Sequence, residues 1–291
     1  MPVLSSTVLI DAPPRTVAGI LRDAHMAAEA LARLGHRWGD GPRLLSPGDE
    51  VRVAGRVLPG VRVPVRTVIG TVTASGITSA LRAGPLPALH HDVTLTPEGA
   101  GTLVRDELRW TSPLGPLGRL ADAAVLRRLG SDLLAARRAV LLERAADLIA
   151  GPVVVATALI RDGRVLVARR TRPPALAGRW ELPGGRVEAG ESEPDAVARE
   201  CREELGAAVR ATGRLGTDLP IDAGVLRVHT AELEPGSPEP TALEHSGLRW
   251  VGRDELAGVG WVDADRAVVA DLQALLGAGV SRDGPSRSTD S

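Results

Sequence analysis

The stretch that most constrains this chain runs from Trp180 to Ala207. It begins Trp180-Glu-Leu-Pro-Gly-Gly-Arg-Val-Glu-Ala-Gly-Glu191 and ends Arg199-Glu-Cys-Arg-Glu-Glu-Leu-Gly-Ala207. Ser192 to Leu205 reads as a helix, with Pro194 near its start and Gly206 just past its end. At about 100° per residue, Glu200, Glu203 and Glu204 fall within about 100° of arc. Val197, Cys201 and Leu205 form the neighbouring apolar stripe. Three carboxylates therefore share one face beside the core-facing edge. Acidic helix faces are common as plain solvated surface. Here, however, Glu200 and Glu204 repel at i,i+4 by roughly a few tenths of a kcal/mol, and a divalent cation would reverse that sign. Hard oxygen ligands clustered on a rigid helix suit Mg²⁺ or Mn²⁺. The Gly184-Gly185 loop could bring backbone groups close to a ligand without Cβ interference.

The stretch resembles the Nudix box: Gly, five residues, Glu, seven residues, Arg-Glu, an apolar residue, any residue, Glu-Glu, any residue, Gly, an apolar residue. The chain supplies Gly185, Glu191, Arg199, Glu200, Cys201, Glu203, Glu204, Gly206 and Ala207. Cys201 and Ala207 are small occupants of the two apolar slots. Seven fixed matches by chance are on the order of one in a million at ordinary residue frequencies. The resemblance extends over about residues 152–278. It implies an α/β/α sandwich with a mixed sheet, and a metal-dependent hydrolase of a nucleoside diphosphate-linked compound. It also implies that Glu200, Glu203 and Glu204 bind Mg²⁺ (Mn²⁺ substituting), with the Gly184 carbonyl as a further ligand. Arg199 would orient a carboxylate, and Glu191 would support the loop or the second shell of the metal. The general base would be Glu204 or Glu200.

The surroundings resemble the MutT-type nucleoside triphosphate pyrophosphohydrolases. Arg169-Arg170 ends a strand where that group places an Arg on the substrate. Trp180 to Gly185 matches its entry to the box, with Leu182 and Gly185 as substrate contacts. Glu244, in Glu244-His-Ser-Gly-Leu-Arg-Trp250, is the candidate extra metal ligand. Asp265, in Trp261-Val-Asp-Ala-Asp265, is the candidate base reader. The plainer alternatives are that Arg169 and Arg170 are surface charges, Glu244 a loop acid and Asp265 a helix cap. Trp250 and Trp261 read as core. The Tyr that diadenosine polyphosphate hydrolases use is absent. The position of the ADP-ribose hydrolases' proline holds Asp222, with Pro220 slightly early. These absences favour a triphosphate. Which base it carries is left open.

Composition narrows the chemistry. The chain has 291 residues, a single cysteine, six His, five Trp and neither Phe nor Tyr. It also has no Lys, so a Schiff-base mechanism is excluded. One cysteine excludes an intramolecular disulfide and a multi-Cys zinc site. A formal net charge of −1 suggests no broad nucleic-acid or membrane field. No apolar run approaches transmembrane length and no signal peptide is visible. The expected partners are a nucleotide substrate, with no nucleic-acid polymer and no membrane, in the cytoplasm. The oligomeric state is not legible.

Upstream, residues 3–10 alternate like a strand. Asp11-Ala-Pro-Pro14 reads as a helix start with Asp as cap, and short helices should cover 14–34. Strands are expected at 50–57, 61–73, 76–83, 88–96 and 101–110, with a turn at Leu58-Pro-Gly60. A helix over roughly 117–149 carries Leu126, Leu129, Leu133, Ala136 and Val140 on one stripe. The order resembles the SRPBCC or START-like helix-grip superfamily, in which a curved antiparallel sheet wraps one long helix. Trp38, the strand entry Gly99 to Asp106 and Pro113-Leu-Gly-Pro-Leu-Gly118 carry the likeness. It implies an apolar or aromatic metabolite held between sheet and helix. Asp106 and His90 are possible pocket groups, though read as ordinary strand residues.

The expected organisation is a two-domain α+β chain: a helix-grip domain at 1–150, a Nudix domain at 151–279 and a disordered tail at 280–291. The expected activity is Mg²⁺-dependent hydrolysis of a nucleoside triphosphate, with an ordinary, oxidised or modified base, to monophosphate and pyrophosphate. The alternatives are hydrolysis of ADP-ribose or a nucleotide sugar, a non-catalytic ligand-responsive regulator, and a cyclase-like enzyme working in the N-terminal pocket.

Overall fold

The computed structural model describes residues 1–58, 61–112 and 125–280, apart from the side chains of residues 57, 58, 279 and 280. The chain divides into two compact units, Met1–Gly151 with Thr217–Val225, and Pro152–Gly216 with Leu226–Ser291. The first unit thus takes in a short segment that a single cut near residue 150 does not anticipate. No helix among the described residues is long and apolar enough to cross a membrane.

In the first unit, β1 (Val3–Ile10) is followed by α1 (Pro14–Arg22) and α2 (Ala24–Arg33). A meander follows: β2 (Arg37–Trp38), β3 (Glu50–Leu58), β4 (Val61–Thr73), β5 (Gly76–Ala83), β6 (Ala88–Glu98) and β7 (Gly101–Thr111). The strands form one sheet in the order β1-β7-β6-β5-β4-β3-β2. β1 closes its far edge by pairing antiparallel with β7 from Val3–Arg109 to Ile10–Thr102. Register shifts between Arg56 and Leu58 in β3 and between Ile69 and Val72 in β4 bend the strands, as bulges do. The resulting face carries Val51, Ile69, Ile77, Val93, Leu95 and Val104.

Against that face packs α3 (Arg127–Ala150), whose buried residues are Leu134, Val140, Leu141 and Ala145. Val17, Ile20 and Leu21 of α1 complete the core. All five anticipated long strands are present, within two residues at each end. Two details differ from expectation. Asp11 does not cap α1: the N-cap is Pro13, with no side-chain cap bond, and Pro14 opens the helix. The two-residue strand Arg37–Trp38 is too short to leave a periodicity. The expected turn at Leu58-Pro-Gly60 past Leu58, the whole segment Pro113 to Gly118 with the start of the expected long helix, and the expected disordered tail past residue 280 lie outside the described residues.

The second unit opens with β8 (Val153–Arg161) and β9 (Arg164–Arg169), joined by a tight hairpin. Asp162 and Gly163 both take positive φ, 50° and 69°, the geometry that Asp-Gly favours in a two-residue hairpin. Next come β10 (Trp180–Glu181), α4 (Glu193–Leu205), β11 (Val209–Ile221), β12 (Gly224–Leu233) and β13 (Leu248–Gly252). Two helices, α5 (Asp263–Arg266) and α6 (Val269–Val280), end the described chain. The sheet runs β10-β9-β8-β12-β11, with β13 pairing β9. Beside it, Trp180 and Trp261 form an isolated parallel bridge.

α4 is the pivotal element. Ser192 caps it by accepting from the Asp195 N–H, and Gly206 ends it in the left-handed region at φ 64°. Ala196, Val197, Cys201 and Leu205 are all 0% exposed and face Val155, Leu159 and Leu166 of the sheet. Glu193 ties the first turn down, accepting from Arg214 at 3.0 Å, from His229 at 2.8 Å and from Arg227.

Candidate active site

The loop from Pro183 to Val187 lies alongside β8. The carbonyls of Pro183 and Gly185 accept from Thr157 and Val155 at 2.7 and 2.8 Å, and the Val187 N–H donates to Val153. The Gly184 carbonyl, between them, meets no donor among the described residues. Two glycines are required by close approach. A Cβ on Gly184 (φ +154°) would sit 2.1 Å from the Val155 carbonyl oxygen. A Cβ on Gly185 would sit 2.2 Å from Glu200 Oε1. The loop backbone is therefore pressed directly against the box carboxylates.

Those carboxylates share a single guanidinium. Arg199 donates through Nε and Nη2 to both oxygens of Glu191, at 2.9 and 3.1 Å. Its Nη1 reaches Glu200 at 2.9 Å and Glu203 at 3.1 Å. Nη2 also donates to the Arg186 carbonyl. Three acids on one cation leave the cluster negative. Glu204 lies apart from Arg199 and accepts from the Gly184 N–H at 3.0 Å. Burial pushes Glu204 up to about 7, against the opposing pull of His245 and the Gly184 hydrogen bond. Burial also raises Glu200, despite Arg199. Glu191 is held below its ordinary value by its hydrogen bonds to Arg199. Glu203 is the outward member, its side chain 53% exposed. As the side chains stand, no three acidic, imidazole or thiol groups among the described residues converge on one point, because Arg199 and the Gly184 N–H hold the carboxylates.

A second group of polar residues extends from β10. Arg170 donates to Glu181, and through Nε to the Arg172 carbonyl. His245 Nε2 lies 3.2 Å from the other Glu181 oxygen. Burial lowers the His245 pKa, but the Glu181 hydrogen bond and the Glu204 and Glu181 charges outweigh it and leave the imidazole above its ordinary value. Asp265, on α5, is 5% exposed and accepts from the Leu182 N–H at 3.0 Å. Burial pushes its carboxyl up to about 7. Leu182 itself is 4% exposed, so what it presents locally is backbone. Glu244 is exposed, with Arg172 at 3.7 Å; the buried side chain of its segment is the next one, His245. Sequence reasoning missed Glu181 and His245, although both stand inside stretches it singled out. Trp261 is buried, its Nε1 donating to the Leu256 carbonyl. Trp250 is half-buried beneath Arg161, 4.2 Å from the ring centroid.

A glycine cradle against a carboxylate-bearing helix, set on a sheet, is the arrangement of a phosphoanhydride hydrolase. Residues 151–272 match the family model described as the NUDIX domain. The chain belongs to the Nudix family, and this half of it is a Nudix pyrophosphohydrolase. A Mycobacterium tuberculosis protein named "Putative 8-oxo-dGTP diphosphatase 2" is 51% identical over 128 residues, 43% of this chain and 89% of that relative. The Escherichia coli CTP pyrophosphohydrolase is 31% identical over 126 residues, 43% of this chain and 93% of that protein. Among solved structures, the solution structure of the E. coli ORF135 protein is 30% identical, with a TM-score of 0.37, over 46% of this chain and 94% of that one.

Proposed function

We propose that the second unit hydrolyses a nucleoside triphosphate to the monophosphate and pyrophosphate with Mg²⁺, Mn²⁺ substituting. The observation that carries this is the crowding of Glu191, Glu200 and Glu203 on the one Arg199 guanidinium, with Glu204 buried beside them. Such a donor set is short of positive charge and consists of hard oxygens, which fits a hard divalent cation. Glu200, Glu203, Glu204 and the otherwise unmatched Gly184 carbonyl would hold it. A bound divalent cation supplies charge neutralisation on the phosphates and an acidified water for attack at phosphorus.

The protein's own groups do the rest. Arg199 sets the spread of the acids, and the Gly184 N–H fixes Glu204. The half-buried carboxylates, Glu204 or Glu200, receive the proton of the attacking water. Arg170 would face the phosphates. Glu244 stands at the rim, as a further ligand only if its loop closes inward.

Asp265 reads the base. Poised near neutrality and anchored through Leu182, it can present either a donor or an acceptor. The relatives' names divide between an oxidised purine and a pyrimidine, so the triphosphate is proposed and its base is left to measurement. Steady-state kinetics with dGTP, 8-oxo-dGTP, CTP and dCTP in Mg²⁺ test both points. Glu203→Gln should lose about 100-fold or more in kcat. Asp265→Asn should reorder the four kcat/KM values. A Glu203→Gln protein as fast as wild type would remove the assigned site.

For the first unit we propose a helix-grip domain that binds an apolar metabolite. Supporting it is an apolar cavity of about 330 Å³ between sheet and helix, lined among others by Trp38, Val53, Ile69, Leu108 and Trp110. That volume lies within the range of small-molecule pockets.

A further inference from the structure

The lining of that cavity is chemically one-sided. Among the described residues, its titratable side chains are His36, Arg56, His91 and Arg137, and no carboxylate lines it. The other described residues facing the space are aliphatic, aromatic, backbone or hydroxyl. The basic groups are not equivalent. Arg56 is exposed, and His36 is committed, accepting from the Arg56 N–H at 2.7 Å. Arg137 is fixed: its side chain is 11% exposed and Nε donates to Asp106 Oδ2 at 2.9 Å. His91 Nε2 lies 2.5 Å from the other oxygen of the same carboxylate. Asp106 is thus clamped between two bases. Burial alone would raise its pKa, but the charges of Arg137 and His91 hold it well below the ordinary carboxylate range.

An ionised Asp106 fixes which atoms remain for a ligand. Both of its oxygens are engaged. Arg137 keeps its Nη groups, for which no acceptor exists among the described residues, and His91 keeps Nδ1. A guanidinium held rigidly at the wall of an apolar space is a strong site for an oxyanion, because little solvent competes and little side-chain entropy remains to be lost. The two Trp residues and the aliphatic side chains suit the remainder of the ligand.

We propose that the first unit binds an apolar organic anion: an aliphatic or aromatic body carrying one carboxylate or acidic hydroxyl, whose oxygen sits on Arg137 beside His91. This rests on the reading of the cavity as a ligand site and adds the charge and the anchor. His91, and not the exposed His90, is the histidine involved.

The test uses the full-length chain and two probe pairs matched in shape, decanoate with 1-decanol and 1-naphthoate with 1-naphthalenemethanol, by titration calorimetry at pH 7. The acid of at least one pair should bind tenfold or more tighter than its alcohol. Arg137→Gln should erase that preference while leaving alcohol binding within about threefold. Because Arg137→Gln leaves Asp106 buried and unpaired, a second variant, Arg137→Gln with Asp106→Asn, removes both charges; it too should bind acid and alcohol alike. Equal binding of acid and alcohol by wild type, or an acid preference that survives in the double variant, would overturn the anion assignment and leave the cavity reading intact. No binding of either pair would overturn the cavity reading itself.

Discussion

Asp265, the proposed base reader, is a buried carboxylate whose surroundings bear on stability. Its folded pKa, about 7, lies above the ordinary value of about 3.9. Between those pH values the folded state holds a proton that the unfolded chain has lost. The contribution is therefore fully present below about pH 4, falls as pH rises and is gone above about pH 7. Asparagine does not titrate and can still accept the Leu182 N–H. Thermal melts of Asp265→Asn and wild type should thus nearly coincide at pH 4, with the variant gaining on the order of a few kcal/mol by pH 8. Melting curves that stay parallel across that range would contradict the burial argument. At this scale the sequence was informative where spacing is rigid. The box glutamates and Arg199 are fixed by helix geometry, so their mutual placement could be read directly. Glu181 and His245 could not, because they meet across 64 residues of chain through the pairing of β10 and β13 with β9, which no local pattern encodes.

The element that organises the site is α4 with its preceding loop. Its limits were legible because Ser192, Pro194 and Gly206 act locally, through a cap, a fixed φ and a left-handed residue. What fastens it to the sheet was not legible, since Glu193 gathers Arg214, Arg227 and His229 from two later strands. Glu193→Ala should therefore cost about 2 kcal/mol in urea unfolding, although the residue lies outside the carboxylate cluster. A change within experimental error would mean that the apolar face alone positions the helix. The loop gives a sharper contrast. Gly184→Ala drives a Cβ into backbone and should destabilise by more than about 3 kcal/mol. Gly185→Ala meets the Glu200 carboxylate, so it should cut kcat at least tenfold with a smaller loss of stability, readable from melts and rates on the same preparations. In the first unit, strand positions were similarly open to reading, because period-2 alternation and turn residues are local. The cap of α1 was misread because Pro13 and Pro14 satisfy the helix start without a side-chain bond.

At the scale of the whole chain, the sequence separates two units of different pattern: strands followed by one long helix, then a sheet around a carboxylate helix. It does not reveal that residues 217–225 group with the first, since that assignment depends on three-dimensional contacts. Nor does it show how the arginines of the first unit are distributed, with Arg137 turned to an apolar cavity and its partner Asp106 on β7, beside the edge strand β1. Chelation bears on the second unit as a whole. Removing divalent ions with EDTA should abolish turnover, with restoration by Mg²⁺ and then by Mn²⁺. The central claim is the bond that is broken. Full-length protein, Mg²⁺ and the preferred triphosphate, incubated in ¹⁸O-water and followed by ³¹P NMR, identify it directly. The account predicts monophosphate and pyrophosphate in equal amounts, one of them carrying the isotope, and no such products from Glu203→Gln. Release of orthophosphate with a nucleoside diphosphate, or no turnover of any triphosphate in either metal, would contradict it.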